Sequence, residues 1–315
     1  MAQSLFITLN NAQPDCQIDV LAPAWSLALL ERMPEVAKAI AMPLSHGQLG
    51  LLDRIKLGRK LRLECYDHAI LLPNSWKSAL IPYFANIPVR TGYMGEFRWG
   101  LLNDARNLDK SLLTMTVQRF VALGLPYIAP LPPECPIPSL LINHEQQNAV
   151  VKKFNLTPSE KILALCPGAE YGAAKRWPAS YFAEVARHKI AQGWQVWLFG
   201  SDKDKAAAEQ IKSEVSGDCI DFTGRTSLAE AVDLLSLADT VVTNDSGLMH
   251  VAAALDKKII ALYGSSDPNF TPPLNAKAHV ISLNLDCAPC FKRECPLGHT
   301  RCLKDIKPDQ VIDVI

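Results

Sequence analysis

One loop of the sequence has residue types suited to holding a phosphate. Residues 167–177 read Pro-Gly-Ala-Glu-Tyr-Gly-Ala-Ala-Lys-Arg-Trp. The glycines and alanines let the backbone approach a ligand closely, and Lys175 and Arg176 can pair with an anion. A surface loop with two solvated cations is the alternative that this stretch alone leaves open.

A second loop, residues 244–250, reads Asn-Asp-Ser-Gly-Leu-Met-His. Asp245, Ser246 and Gly247 lie where a strand turns into a helix, and the free N–H groups of a helix start suit a pyrophosphate. His250 follows Ser246 by four residues, on the same helical face. Helix capping is the ordinary role of Asp and Ser here, and a Ser-His-Asp hydrolase would need the missing G-x-S-x-G elbow. Two such loops after neighbouring strands favour a bound phosphate ligand.

Four of the nine cysteines are clustered near the end of the chain, namely Cys287, Cys290, Cys295 and Cys302. The first two have the spacing of metal ligands, and four thiolates select zinc or iron in a closed structural site. The last two are not spaced as C-x-x-C. Buried or oxidisable free thiols are therefore the alternative.

The elements that position these residues alternate between short apolar strands and helices. In the second half, strands are predicted at residues 162–166, 195–199, 240–243 and 258–263. This alternation predicts an α/β fold with parallel sheets, whose ligands lie beyond the carboxyl ends of the strands. The first half has the same rhythm, although the sequence opens directly in a helix over residues 2–9.

Six prolines between residues 126 and 138 predict an extended connector between two lobes. We expect an N-terminal lobe over residues 1–130, a proline-rich connector and lead-in over 131–158, and a C-terminal lobe over 159–315.

The 32 basic residues balance 32 acidic ones, which argues against non-specific binding of nucleic acid. The sequence contains neither a bilayer-spanning apolar run nor a secretory signal, so a cytoplasmic location is expected.

The order of several short motifs resembles the heptosyltransferases of glycosyltransferase family 9, which build the lipopolysaccharide inner core. The matching segments extend over most of the chain, at residues 1–5, 22–25, 32–36, 72–79, 92–98, 100–104, 167–177, 244–250 and 267–273. The resemblance implies a GT-B fold, with two Rossmann-like lobes facing each other across a cleft. It also implies an inverting transfer from ADP-heptose to the first heptose of a lipid A-Kdo-heptose acceptor, with no cofactor required.

The resemblance assigns roles to particular residues of both lobes. Lys175 would contact the donor phosphates, Asp245, Ser246 and Gly247 would hold the pyrophosphate and heptose beside His250, and Asp202 would lie on the adenosine side. The acceptor-side candidates are Lys77, Arg90 and Arg98. The basic stretch of residues 54–62 is either a solvated face or a surface for anionic lipids or the phosphorylated acceptor, as suits an enzyme at the inner membrane.

The family's general base is an Asp of a Gly-Asp pair between its first strand and first helix. This sequence begins at the helix, so we expect the base upstream of Met1, and we expect the chain as written to bind donor but to transfer slowly. Two alternatives remain open at this stage. One is a non-catalytic sugar-nucleotide-binding protein of GT-B fold, and the other is a GT-B transferase that uses another nucleotide sugar.

Overall fold

The computed structural model describes residues 1–44, 47–217 and 219–315. The chain forms two compact units, Met1–Pro136 and Ile137–Ile315. The division falls inside the proline-rich segment, and the lead-in that follows contains a helix belonging to the second unit. None of the described helices combines the length and apolar character that a bilayer-spanning segment requires.

The first unit contains two separate parallel sheets. Its strands are β1 (Ile18–Pro23), β2 (Val36–Met42), β3 (His68–Leu71), β4 (Val89–Tyr93) and β5 (Asp104–Arg106). Strands β1 and β2 pair with each other, and the other three pair in the order β3-β4-β5. Its helices are α1 (Ala2–Ala12), α2 (Leu27–Leu30), α3 (Leu51–Leu61), α4 (Trp76–Phe84) and α5 (Thr116–Gly124). The predicted opening helix is therefore present and extends three residues further, to Ala12.

The second unit is built on one six-stranded parallel sheet. Its strands are β6 (Ile162–Cys166), β7 (Gln195–Leu198), β8 (Cys219–Asp221), β9 (Thr240–Asn244), β10 (Lys258–Tyr263) and β11 (Ala278–Ser282). Their order across the sheet is β11-β10-β9-β6-β7-β8. Every residue of β6 and β9 is buried, as expected for parallel strands covered by helices on both faces.

The helices of the second unit are α6 (His144–Lys153), α7 (Ala179–Ala191), α8 (Lys205–Glu214), α9 (Leu228–Leu235), α10 (Gly247–Ala254), α11 (Arg301–Lys304) and α12 (Pro308–Ile312). Helix α9 begins with a capping box, because the Ser227 hydroxyl accepts from the Glu230 amide and the Glu230 carboxylate accepts from the Ser227 amide.

The register of the central strands brings three loops to one edge of the sheet. Cys166 at the end of β6 is opposite Thr243 in β9, and Asn244 is opposite Leu262 in β10. The loops that follow these strands therefore begin side by side at the carboxyl edge, where open parallel sheets bind ligands. The predicted adjacency of the two phosphate loops is confirmed.

Candidate functional site

An ion pair joins the two predicted phosphate loops. The Lys175 ammonium donates a hydrogen bond to the Asp245 carboxylate, and the side chains are only 17% and 6% exposed. Lys175 Nζ also lies 5.1 Å from the centre of the Tyr171 ring. Lys175 is thus an ion-paired, partly desolvated cation rather than a solvated surface charge, and its contact with donor phosphates stays a prediction.

Asn244 fixes both ends of the loop at residues 167–177. Its side-chain amide donates to the Pro167 carbonyl at 2.7 Å and accepts from the Trp177 amide at 3.0 Å. Asn244 is fully buried, so neither bond competes with water. Sequence reasoning missed this residue, although an amide side chain directly after a buried strand was the available signal.

The start of α10 lies open beside the ion pair. No described side chain caps this helix, because Asp245 pairs with Lys175 and the Ser246 hydroxyl lies 3.3 Å from that of Thr243. A methyl group built on Gly247 would meet no described atom within 4 Å. Simple capping therefore does not explain Asp245 and Ser246, and the amides of the first turn remain available to an anion.

His250 is half-buried on the first turns of α10. Burial lowers its pKa to about 4, with nearby Lys175 adding to the shift and Asp245 opposing it. The imidazole is therefore neutral at pH 7. It can both donate and accept a hydrogen bond beside the ion pair.

Asp202 lies just beyond β7 and is mostly exposed, with a carboxylate 2.7 Å from the Lys205 ammonium. The buried acid of this turn is instead Asp204, which accepts from the Ser201 amide and hydroxyl at 2.9 and 2.8 Å. Gly168 and Gly200 both lie against Asp204, where a methyl group on either would be within 3 Å of it. Asp204, which sequence reasoning did not single out, thus joins the loops after β6 and β7.

Comparison with known proteins decides the family. The sequence model of glycosyltransferase family 9 (heptosyltransferase) matches residues 54–301. The chain belongs to glycosyltransferase family 9. It is 47% identical to lipopolysaccharide heptosyltransferase 2 of Salmonella typhimurium and 46% identical to that of Escherichia coli, each over 99% of this chain and 92% of the relative.

A solved structure agrees with this placement. The structure of E. coli ADP-heptose lps heptosyltransferase II is similar with a TM-score of 0.85 and 42% identity, covering 99% of this chain and 92% of that one. The chain is therefore a glycosyltransferase of GT-B fold that transfers heptose in lipopolysaccharide synthesis.

The acceptor-side candidates of this glycosyltransferase lie in the first unit and differ in exposure. Lys77 is half-buried, and its ammonium is 3.4 Å from the Gln48 carbonyl. Arg90 donates to the carbonyls of Leu101 and Ile87, each at 2.6 Å.

Arg98 is the most deeply buried of the three acceptor-side candidates. Its side chain is completely buried, and its guanidinium donates to the carbonyls of Pro73 and Tyr93. A cation with no exposed surface holds its own loops together. Lys77, Arg90 and Arg98 all stay predictions as acceptor-side candidates.

The four clustered cysteines line one cavity of the second unit, with Cys302 buried and Cys287, Cys290 and Cys295 half-buried. Across residues 1–44, 47–217 and 219–315, no three His, Cys, Asp or Glu side chains are grouped as ligands of one metal ion. The side chains thus share a cavity without already surrounding a common point.

Proposed function

We propose that this transferase moves L-glycero-D-manno-heptose from ADP-heptose to the first heptose of the inner core on lipid A, with inversion at the anomeric carbon. One observation carries the donor assignment. A held lysine, Lys175, lies beside the uncapped start of α10, where two neighbouring strands end. The similar E. coli protein is described as an ADP-heptose enzyme, which supports ADP-heptose as the donor.

The charge that develops in this reaction explains the site. Breaking the bond to the anomeric carbon passes through an oxocarbenium-like state, while negative charge grows on the departing ADP. Lys175 and the amides of Ser246 and Gly247 would stabilise that charge directly. No cofactor is needed for this step.

The Asp245 carboxylate has a positioning role in the proposal. It holds the Lys175 ammonium at the mouth of the site before donor binds. Because a phosphate and a carboxylate repel each other, Lys175 must stay between them when ADP is bound. Neutral His250 can bond a heptose hydroxyl, and exposed Asp202 can accept from the adenosine ribose. All four of these side chains are proposed to act on the donor and not on the acceptor.

Helix α3 and the turn directly after it supply a surface that suits the lipid-linked acceptor. Leu52 and Leu63 are 70% and 84% exposed, and the cations Lys56, Arg59 and Lys60 lie exposed between them. No acid in the described part of the chain is ion-paired with these three cations. Apolar side chains flanking cations are typical of a surface that binds anionic bilayers. We therefore propose peripheral contact with the membrane through this face.

The donor proposal is tested by calorimetric titration with ADP-heptose, UDP-sugars and GDP-sugars, followed by transfer to heptose-terminated lipid A acceptor. We expect ADP-heptose to bind at least about tenfold more tightly than the other nucleotides, a difference of about 1.4 kcal/mol. Preference for a UDP-sugar would replace the donor. ADP-heptose binding without transfer to this acceptor would refute the proposed acceptor.

The membrane proposal is tested by sedimentation with phosphatidylglycerol and phosphatidylcholine vesicles. Each cation near an anionic surface contributes about 1 kcal/mol, so the triple variant K56Q/R59Q/K60Q should lose about 100-fold in partitioning to the anionic vesicles. A matched control removes the same charge at three exposed lysines of the second unit, Lys152, Lys212 and Lys304. Equal losses in both triple variants would refute a specific role for α3.

A further inference from the structure

The segment at residues 287–302, which we call the cysteine segment, is packed against the loop that carries Lys175. The Ala174 amide donates to the Arg293 carbonyl at 3.0 Å, and the Tyr171 hydroxyl donates to the Phe291 carbonyl at 2.8 Å. A methyl group on Gly172 would lie 2.3 Å from the Arg293 carbonyl oxygen. The backbones of the loop and the segment are therefore in direct contact.

The cavity of the four cysteines also contains an unpartnered polar atom. Ser265, directly beyond β10, lines this cavity and is only 1% exposed. Its hydroxyl has no hydrogen-bond partner in the described structure. A buried hydroxyl without a partner is costly, and its proton suits a sulfur that carries negative charge.

The backbone around Cys295 also provides a hydrogen-bond donor to a sulfur. The Thr300 amide donates to the Cys295 sulfur at 3.4 Å, and the Gly298 amide donates to the Cys295 carbonyl at 3.0 Å. A backbone N–H that points at a sulfur favours a thiolate over a neutral thiol. A metal-bound thiolate at this position would therefore keep this donor.

We propose that Cys287, Cys290, Cys295 and Cys302 bind one soft divalent ion, Zn²⁺ or Fe²⁺, in a closed structural site. Four thiolates are the donor set that selects these ions. Each thiol releases its proton to solvent as its sulfur binds the metal. Because the side chains line the cavity without surrounding one point, rotation about their Cα–Cβ bonds must bring the sulfurs inward.

Metal binding by the cysteine segment would also affect the donor site, and this part of the inference rests on the proposed function. A metal that closes the cysteine segment would fix the carbonyls of Phe291 and Arg293, against which Tyr171 and Ala174 are bonded. Lys175 follows Ala174 directly. The bound ion would therefore stabilise the conformation of the loop at residues 167–177 without contacting the donor.

The metal is tested on full-length protein, purified anaerobically without a metal-affinity tag from cells supplied with zinc and iron. Elemental analysis should find about one equivalent per chain, and absorption-edge spectroscopy should find sulfur ligands. Cys290→Ser and Cys295→Ser should retain less than about 0.2 equivalents, whereas Cys16→Ser, a half-buried cysteine of the first unit, should retain the metal. Less than about 0.2 equivalents in the unmodified protein, or equal loss in Cys16→Ser, would overturn the site.

A second measurement covers the case in which a cysteine variant does not fold. Chelation of the unmodified protein should expose four additional thiols to a thiol reagent and lower the melting temperature, and re-addition of zinc should reverse both changes. ADP affinity should fall about three- to tenfold on chelation, since the loop is loosened while Lys175 remains. Unchanged thiol reactivity refutes the metal, whereas unchanged ADP affinity refutes only the stabilisation of the loop.

Discussion

Substitution of Lys175 by alanine tests the donor site most directly. The change removes the proposed charge-assisted contact to the donor phosphates, and a contact of this kind contributes about 1.5–3 kcal/mol. It also leaves the carboxylate of Asp245, whose side chain is 6% exposed, without its cation and close to the incoming phosphate. We therefore expect ADP affinity, measured by calorimetry, to fall about 10- to 150-fold.

A control variant and a double variant separate the effect of Lys175 from that of other charges near the loop. Lys203 pairs with Glu170 of the same loop, but both side chains are more than 65% exposed, so Lys203→Ala should leave ADP affinity almost unchanged. The double variant K175A/D245N should bind ADP more tightly than K175A, because the unpaired carboxylate is gone. An ADP affinity within twofold of the unmodified protein for a folded K175A would refute the role of Lys175.

Three further predictions concern the structure around the site. The pKa of His250 is lowered from 6.5 to about 4 in the folded protein, so the unfolded chain binds more protons than the folded chain between these pH values. The melting temperature should therefore fall as the pH is lowered from 6.5 to 4. In His250→Gln the same fall in melting temperature should be less steep. Asn244→Ala leaves a buried carbonyl and amide unpaired and should lower the free energy of unfolding by about 2–4 kcal/mol in urea titrations. Gly172→Ala forces the Arg293 backbone away; melting temperature and ADP affinity should both fall, and an unchanged pair of values would contradict the packing described.

Local signals predicted where the two candidate phosphate loops lie, because small residues, cations and the strand-to-helix turn are all within a few positions of each other. The role of Asn244 was missed because it depends on atoms far away in sequence, the Pro167 carbonyl and the Trp177 amide. The burial of Arg98 could not be predicted from the sequence for the same physical reason. An arginine is ordinarily exposed, and its burial follows only from carbonyls that the fold gathers around it.

Edge strands were the other part of the fold that the sequence did not reveal. Strands β8 and β11 lie at the two margins of the sheet and are only partly buried. They therefore lack the continuous apolar run of β6 or β9 that predicts a central parallel strand. Their positions are fixed by pairing with β7 and β10, which are long-range contacts.

Strand β6 joins parts of the second unit that are far apart in sequence. Strand β6 pairs on one side with β7, the next strand in the chain, and on the other with β9, whose residues follow more than 70 positions later. A nascent chain that has reached only β8 can form half of the sheet, but it lacks Asp245 of the proposed nucleotide site. Nucleotide bound at that site can therefore stabilise only a sheet in which β9 has joined β6. Added ADP should protect the amides of β6 and β9 from hydrogen exchange together, as one cooperative unit.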